Sequence, residues 1–192
     1  MQSIILASQS PRRKQLLEWA EVPFEIIVKH AEETFPADMI IPDVPVHIAR
    51  NKALAVKENL PSSDKIILAA DTVVVIDNTI IGKPKDRADA IKTLSLLSGR
   101  QHQVITGVVI LYDEKEIAFA DTTSVLFHSL TKEQIEFYID KYQPYDKAGA
   151  YAIQEWIGVV GIKSVSGDFY NVMGLPVSRV VQALQQIKKA DE

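Results

Sequence analysis

An apolar run from Ile66 to Ile76 is interrupted at its middle by Asp71-Thr72, and this interruption constrains the chain more than any other feature. Ile66-Ile67-Leu68-Ala69-Ala70 and Val73-Val74-Val75-Ile76 read as one buried strand, so a carboxylate sits where a charge is costly. Such a charge needs a cation or a set of backbone donors. Asp77-Asn78 is a hairpin signal that returns Gly82-Lys83-Pro84-Lys85-Asp86 towards the same region, which makes Lys83 the first partner to expect. The alternative is an Asp71 satisfied by backbone hydrogen bonds, with Lys83 on a solvated turn.

The rest of the chain can bury that strand unaided. With 192 residues, 47% of them hydrophobic, no staple is needed, and one domain over residues 1–192 is expected. There is no cysteine, which removes disulfides and any thiolate metal site. The first apolar run, Ile4 to Ala7, has four residues, too few for a signal-peptide core or a membrane span, so a soluble, cytoplasmic protein is expected. A net charge of −4 and a pI near 5.6 argue against a general nucleic-acid binder, while a small anion held by a few local cations is allowed.

Ile4 to Ala7 reads as a short buried strand, followed by Ser8-Gln9-Ser10-Pro11-Arg12-Arg13 and an amphipathic stretch, Lys14 to Ala20. Ser10 fits an N-cap and Pro11 the first helical position. Arg12 and Arg13 then fall in the first turn, where the helix dipole disfavours cations unless an anion is present. Serine hydroxyls, backbone N–H groups and two guanidinium forks would suit a polyphosphate; a solvated surface pair is the alternative. Phe24 to Val28 is a second strand, and Glu32-Glu33 lie in the loop after it. A helix starts near Pro45, with Ile48, Ala49, Ala53 and Val56 on one face and Pro61 beyond its end. Lys52 borders that face and either snorkels to solvent or points into a cleft shared with Asp71.

Beyond the hairpin, Ala88, Ile91, Leu94 and Leu97 mark a helix closed by Gly99. Gln103 to Leu111 and Glu116 to Phe127 form two strands, and Gly107 within the first signals a bulge or a close backbone approach. Thr131 to Gln134 is a capping box opening a packing helix. Tyr145 to Gln154 is rich in small residues; Gln154 either reads a base edge or satisfies backbone groups. Ile157 to Val165 is strand-like, Ser166 to Asn171 a polar turn, and a last helix follows Gly174-Leu175-Pro176 to about Lys189. Strands alternating with helices early, and a strand pair in the middle, give a mixed α/β class.

Taken together, these segments resemble the Maf family of nucleoside triphosphate pyrophosphatases. The matching stretches are Leu6-Ala7-Ser8-Gln9-Ser10-Pro11-Arg12-Arg13, the Glu33 loop, Ala49-Arg50-Asn51-Lys52-Ala53, Ala70-Asp71-Thr72-Val73-Val74 and Gly82-Lys83-Pro84. They continue with Leu97-Ser98-Gly99-Arg100, Val104-Ile105-Thr106-Gly107, Asp146 to Gln154 and Asn171-Val172-Met173-Gly174-Leu175-Pro176, in the family's order over nearly the whole chain.

The resemblance implies an elongated, twisted mixed sheet flanked by helices, with two lobes around a nucleotide cleft, similar to the inosine triphosphate pyrophosphatases. It implies hydrolysis of a nucleoside triphosphate to the monophosphate and pyrophosphate, with Asp71 as general base and Glu33 as a metal-associated carboxylate. Lys52, Lys83, Arg12 and Arg13 match the basic groups around the triphosphate, with Ser8 beside them. The cofactor implied is Mg²⁺ or Mn²⁺ on Glu33 and Asp71, hard ions suited to carboxylate, phosphate and water. Arg12, Thr72 and Gln154 match the pattern of the subgroup acting on dTTP and UTP. Two departures stand out: Glu155-Trp156 where glycine is common after the glutamine, and Asp168 where serine is common. A homodimer is compatible with the resemblance. Two other readings differ in what they require: a non-catalytic nucleotide-sensing regulator of cell division needs the cations but not the base, and a pyrophosphatase for non-standard purines would not follow the Gln154 pattern.

Overall fold

The structure, a computed structural model, describes residues 3–60 and 65–190, with side chains to residue 187. Its elements are β1 (Ile4–Leu6), α1 (Pro11–Trp19), β2 (Phe24–Ile26), α2 (Asp43–Lys57), β3 (Ile67–Ile76), β4 (Thr79–Ile81), α3 (Arg87–Leu97) and β5 (Gln101–Tyr112). There follow β6 (Lys115–Phe127), α4 (Lys132–Tyr142), α5 (Trp156–Gly161), β7 (Ile162–Ser166), α6 (Phe169–Met173) and α7 (Val177–Ala190). Pro61, expected to follow α2, lies outside the described residues.

The strands form one mixed seven-stranded sheet in the order β2-β1-β3-β5-β6-β7, with β4 paired to β3. The mixed α/β expectation is therefore met. β1 runs parallel to both β2 and β3, whereas β3 with β4 and β6 with β7 are antiparallel. The Asp77-Asn78 hairpin forms as expected, both residues taking positive φ (49° and 58°), the signature of a tight two-residue turn. A second two-residue turn, with Asp113 at φ 49°, joins β5 to β6.

The residues group into two compact units. The first comprises 1–71, 106–121 and 174–192; the second comprises 72–105 and 122–173. In the first, α2 presents Ala49, Ala53 and Val56 to Ile5, Ile67, Ala69 and Val109 of the central strands, a fully apolar layer. β5 approaches α2 closely at Gly107: a Cβ there would lie 2.2 Å from Val46 N and 2.3 Å from Pro45 C. The glycine signal in this strand is thus a close backbone approach. In the second unit, α4 opens with the complete Thr131/Gln134 capping box and buries Ile135, Tyr138 and Ile139.

One expected strand is mostly a helix. Ile157 to Gly161 coils as α5, and only Ile162 to Ser166 is extended. The reason lies at Gly158, where a Cβ would meet Ile153 O at 1.7 Å: the missing side chain lets the run fold back on the preceding turn. Coiling turns Val159 outward, 82% exposed, which an apolar run alone does not foretell. Among the described residues no helix is long and apolar enough to cross a membrane.

Candidate active site

β3 delivers Asp71 and Thr72 as the two residues of the strand that are not fully buried, flanked on both sides by buried Leu68-Ala69-Ala70 and Val73-Val74-Val75. The carboxylate is met by Lys52, whose Nζ lies 2.7 Å from Asp71 Oδ1. The expectation that Lys83 would be the first partner is corrected: the cation on Asp71 comes from α2. Helical spacing explains this, because Lys52 precedes buried Ala53 and follows buried Ile48 and Ala49, so its stem runs along the rim of the apolar face and its head emerges beside β3.

The same Nζ lies 2.7 Å from Glu33 Oε1, on the loop between β2 and α2. One ammonium thus bridges two carboxylates, one on the central strand and one on a loop. Lys52 and Asp71 side chains are only 19% and 16% exposed, while Glu33 is 55% exposed. The inner pair is therefore the less screened of the two.

At the β1–α1 junction, Pro11 takes the first helical position, but the Ser10 side chain makes no cap bond. Ser8 does the organising instead: its Oγ accepts the Ser10 N–H at 3.2 Å and an Arg13 Nη1 proton at 3.2 Å. Arg13 is buried, and its Nε donates to Gly174 O at 2.8 Å. Burial lowers its basicity most, Asp71 raises it, Arg12 lowers it and Glu33 raises it, so the Arg13 guanidinium stands in the field of both carboxylates. Arg12, by contrast, is half-buried. The two arginines expected to act alike differ in burial: Arg13 is buried and bonded to Gly174 and Ser8, while Arg12 is half-buried. Lys14 pairs with Glu18 on the exposed side, 3.7 Å apart.

Ser8, Arg12, Arg13, Glu33, Lys52 and Asp71 belong to the first unit; Thr72, Lys83 and Gln154 belong to the second. Lys83 and Gln154 are exposed, and Gly82, beside Lys83, gives its carbonyl to Gly149 N–H at 3.2 Å. Gly149 has φ 71°, and a Cβ there would lie 2.9 Å from a Val74 methyl, which accounts for the glycine at this position. Unanticipated from sequence is the set Tyr138, Lys147 and Glu155 behind Gln154: Tyr138 Oη donates to Glu155 Oε2, and Lys147 Nζ lies 3.6 Å from Glu155 Oε1. Its one sequence signal is a carboxylate at 155 where the resembled family commonly has glycine.

For a metal ion, the donor set is two carboxylates on one nitrogen. Both oxygens lie 2.7 Å from Lys52 Nζ and so no more than twice that distance apart. No group of three or more metal-binding side chains gathers among the described residues. This suits a hard divalent cation that takes one or two carboxylates and completes its shell with phosphate oxygens and water, and does not suit an all-protein cage.

Against this geometry stand the comparisons with known proteins. The family model described as "Maf-like protein" matches residues 3–187. A dTTP/UTP pyrophosphatase of Cytophaga hutchinsonii is 50% identical over 184 residues, 96% of this chain and 84% of that protein. One from Parabacteroides distasonis is 44% identical, covering 95% and 94%, and one from Bacillus anthracis 48% identical, covering 97% and 96%. A solved Ham1 protein of Staphylococcus aureus is similar at a TM-score of 0.46 and 18% identity, over 66% of this chain and 72% of that one.

Proposed function

We propose that this chain, which belongs to the Maf family, is a nucleoside triphosphate pyrophosphatase acting on dTTP and UTP. The observation that carries the reading is the Lys52 ammonium held at 2.7 Å by both Asp71 and Glu33, in a chain about half identical, nearly end to end, to proteins named for that activity. A binding protein needs cations for phosphate but has no use for a carboxylate set into the central strand, which gives a water's proton somewhere to go.

In this reading Asp71 takes the proton of a water whose oxygen adds to the α-phosphorus; the bond from that phosphorus to the bridging oxygen breaks, and its electron pair leaves with pyrophosphate. Lys52, on the same side, offers its charge to the triphosphate when the anion enters. Arg12 offers its guanidinium fork to the phosphates from the first turn of α1, while Arg13 and Ser8 fix the β1–α1 junction beside it. Lys83 adds a further cation for the leaving group. Glu33 and Asp71 would hold a Mg²⁺ or Mn²⁺ ion, which supplies charge neutralisation on the phosphates when bound. Thr72 and Gln154 meet the base, where the Gln154 amide donates to one uracil or thymine group and accepts from another.

We read residues 1–192 as one functional domain, because neither compact unit is a continuous stretch of chain. A cytoplasmic location and a homodimer belong to the same reading, the latter by family likeness alone. The test is pyrophosphate release from a panel of nucleoside triphosphates, with and without added Mg²⁺ or Mn²⁺. UTP and dTTP should be turned over well, with little difference between them, since one methyl is worth only ~1–3 kcal/mol, and CTP poorly. A preference for ATP, GTP or CTP would overturn the substrate assignment, and tight UTP binding without pyrophosphate release would replace the enzyme with a sensor.

A further inference from the structure

Gln154 is exposed, yet the chain on either side of it is held fast. Tyr138, fully buried on α4, accepts the Ala152 N–H at 3.1 Å and donates its own proton to Glu155 Oε2. Buried Lys147 lies 2.7 Å from Asp146 Oδ1 and 3.6 Å from Glu155 Oε1. The Glu155 backbone closes the turn, its N–H reaching Ala152 O at 3.1 Å and its carbonyl accepting from Gly158 N–H at 2.9 Å. One phenol therefore grips the residue two before Gln154 and the residue one after it.

We propose that Glu155 is a positioning residue for base selection: anchored by Tyr138 and Lys147, it fixes the direction from which the Gln154 amide meets the pyrimidine. This rests on Gln154 contacting the base. A side-chain amide that can flip offers donor and acceptor in either order, and so accepts cytosine as readily as uracil. Discrimination requires that the wrong base leave buried polar groups unpaired, which a wandering backbone cannot enforce. Glycine at position 155 has no side chain to tie to α4, so this chain fixes the turn by a route that a family member with glycine there lacks. The carboxylate is not spare charge on a surface: its two oxygens face one buried hydroxyl and one buried ammonium.

The experiment compares kcat/KM for UTP and CTP in the wild type, Gln154→Ala, Glu155→Ala, Glu155→Gln and the Gln154→Ala/Glu155→Ala double variant, each checked by circular dichroism and thermal melting. Glu155→Ala should cut the UTP-over-CTP ratio about tenfold, chiefly through KM for UTP, and Glu155→Gln, which still accepts from Tyr138, should restore most of it. In the Gln154→Ala background, Glu155→Ala should change the ratio no further. If Glu155→Ala does not fold, Tyr138→Phe removes the same link and keeps the ring. A wild type without UTP preference overturns the Gln154 assignment and this proposal with it. A preference that Gln154→Ala lowers but the folded Glu155→Ala or Tyr138→Phe variant leaves intact overturns this proposal alone, as does an undiminished effect of Glu155→Ala in the double variant.

Discussion

Lys52 Nζ stands 2.7 Å from Asp71 Oδ1, so the carboxylate that interrupts an apolar strand is compensated from the helix packed on that strand. Asp71→Asn keeps the shape and a hydrogen-bond acceptor for Lys52 but cannot take a proton from water. Turnover should fall by at least ~10²-fold with the fold retained. Near-normal rates in the folded variant would remove Asp71 from the base role.

Lys52 and Lys83 should separate stability from activity. Lys52→Met leaves Asp71 and Glu33 without their shared cation; removing one partner of a fully buried pair costs roughly 3–5 kcal/mol, and partial exposure here brings the expected loss nearer 1–2 kcal/mol. Lys83→Ala, at an exposed position, should impair turnover and leave the urea midpoint where it was. Equal midpoints for the two variants would count against the bridge as a structural element.

Three neighbours on α1 should respond in three ways. Arg12→Glu should raise KM for the triphosphate and cost less stability than the change at buried Arg13. Arg13→Glu places a carboxylate where a buried guanidinium met Gly174 O and Ser8, so the protein should fail to fold or lose several kcal/mol. Lys14→Glu should do neither beyond the loss of its exposed pair with Glu18. Denaturant melts beside steady-state kinetics resolve all three.

Gly107→Ala should destabilise by at least about 2 kcal/mol, because the added methyl meets Val46 N and Pro45 C, backbone atoms that cannot swing away. A melt indistinguishable from wild type would mean that α2 and β5 can part at no cost.

His102 should make the protein acid-sensitive. It is 2% exposed, its Nε2 lies 2.7 Å from Tyr151 Oη, and burial pushes its imidazole down to about 4 from an ordinary 6.5. The unfolded chain therefore binds the proton first. Stability from this group is full above about pH 6.5 and is lost as pH falls towards about 4, by about 3 kcal/mol in all. Urea midpoints measured from pH 8 to 4 should fall more steeply for wild type than for His102→Gln; parallel curves would clear His102.

Much of the fold was legible because its signals are local: the Asp77-Asn78 turn, the Thr131/Gln134 box and the β3 run each specify their own backbone. The Ile157 run misled because apolar residues without alternation fit a short buried strand and a helix equally, and the deciding contact, Gly158 on Ile153 O, is between backbones. At the site, sequence named the charged residues and offered Lys52 beside Asp71 as one of two fates, but put Lys83 first as its partner. Lys83 is nearer Asp71 along the hairpin, yet helical phase sends Lys52 there, and nothing local to Arg12-Arg13 says that Arg13 will be buried against Gly174 O.

The acceptor for that buried arginine lies 161 residues further along the chain, in the last of the three segments that make up the first unit. On the ribosome, strand β3 and helix α2 emerge early, but Arg13 cannot find Gly174, nor can α7 pack, until the residues of the second unit have been made. The unit that holds Asp71, Glu33 and Lys52 thus cannot mature as an autonomous N-terminal body ahead of the second one. Its completion waits on the segment that begins at Gly174, and a chain stalled before that point would leave Arg13 without its Gly174 acceptor.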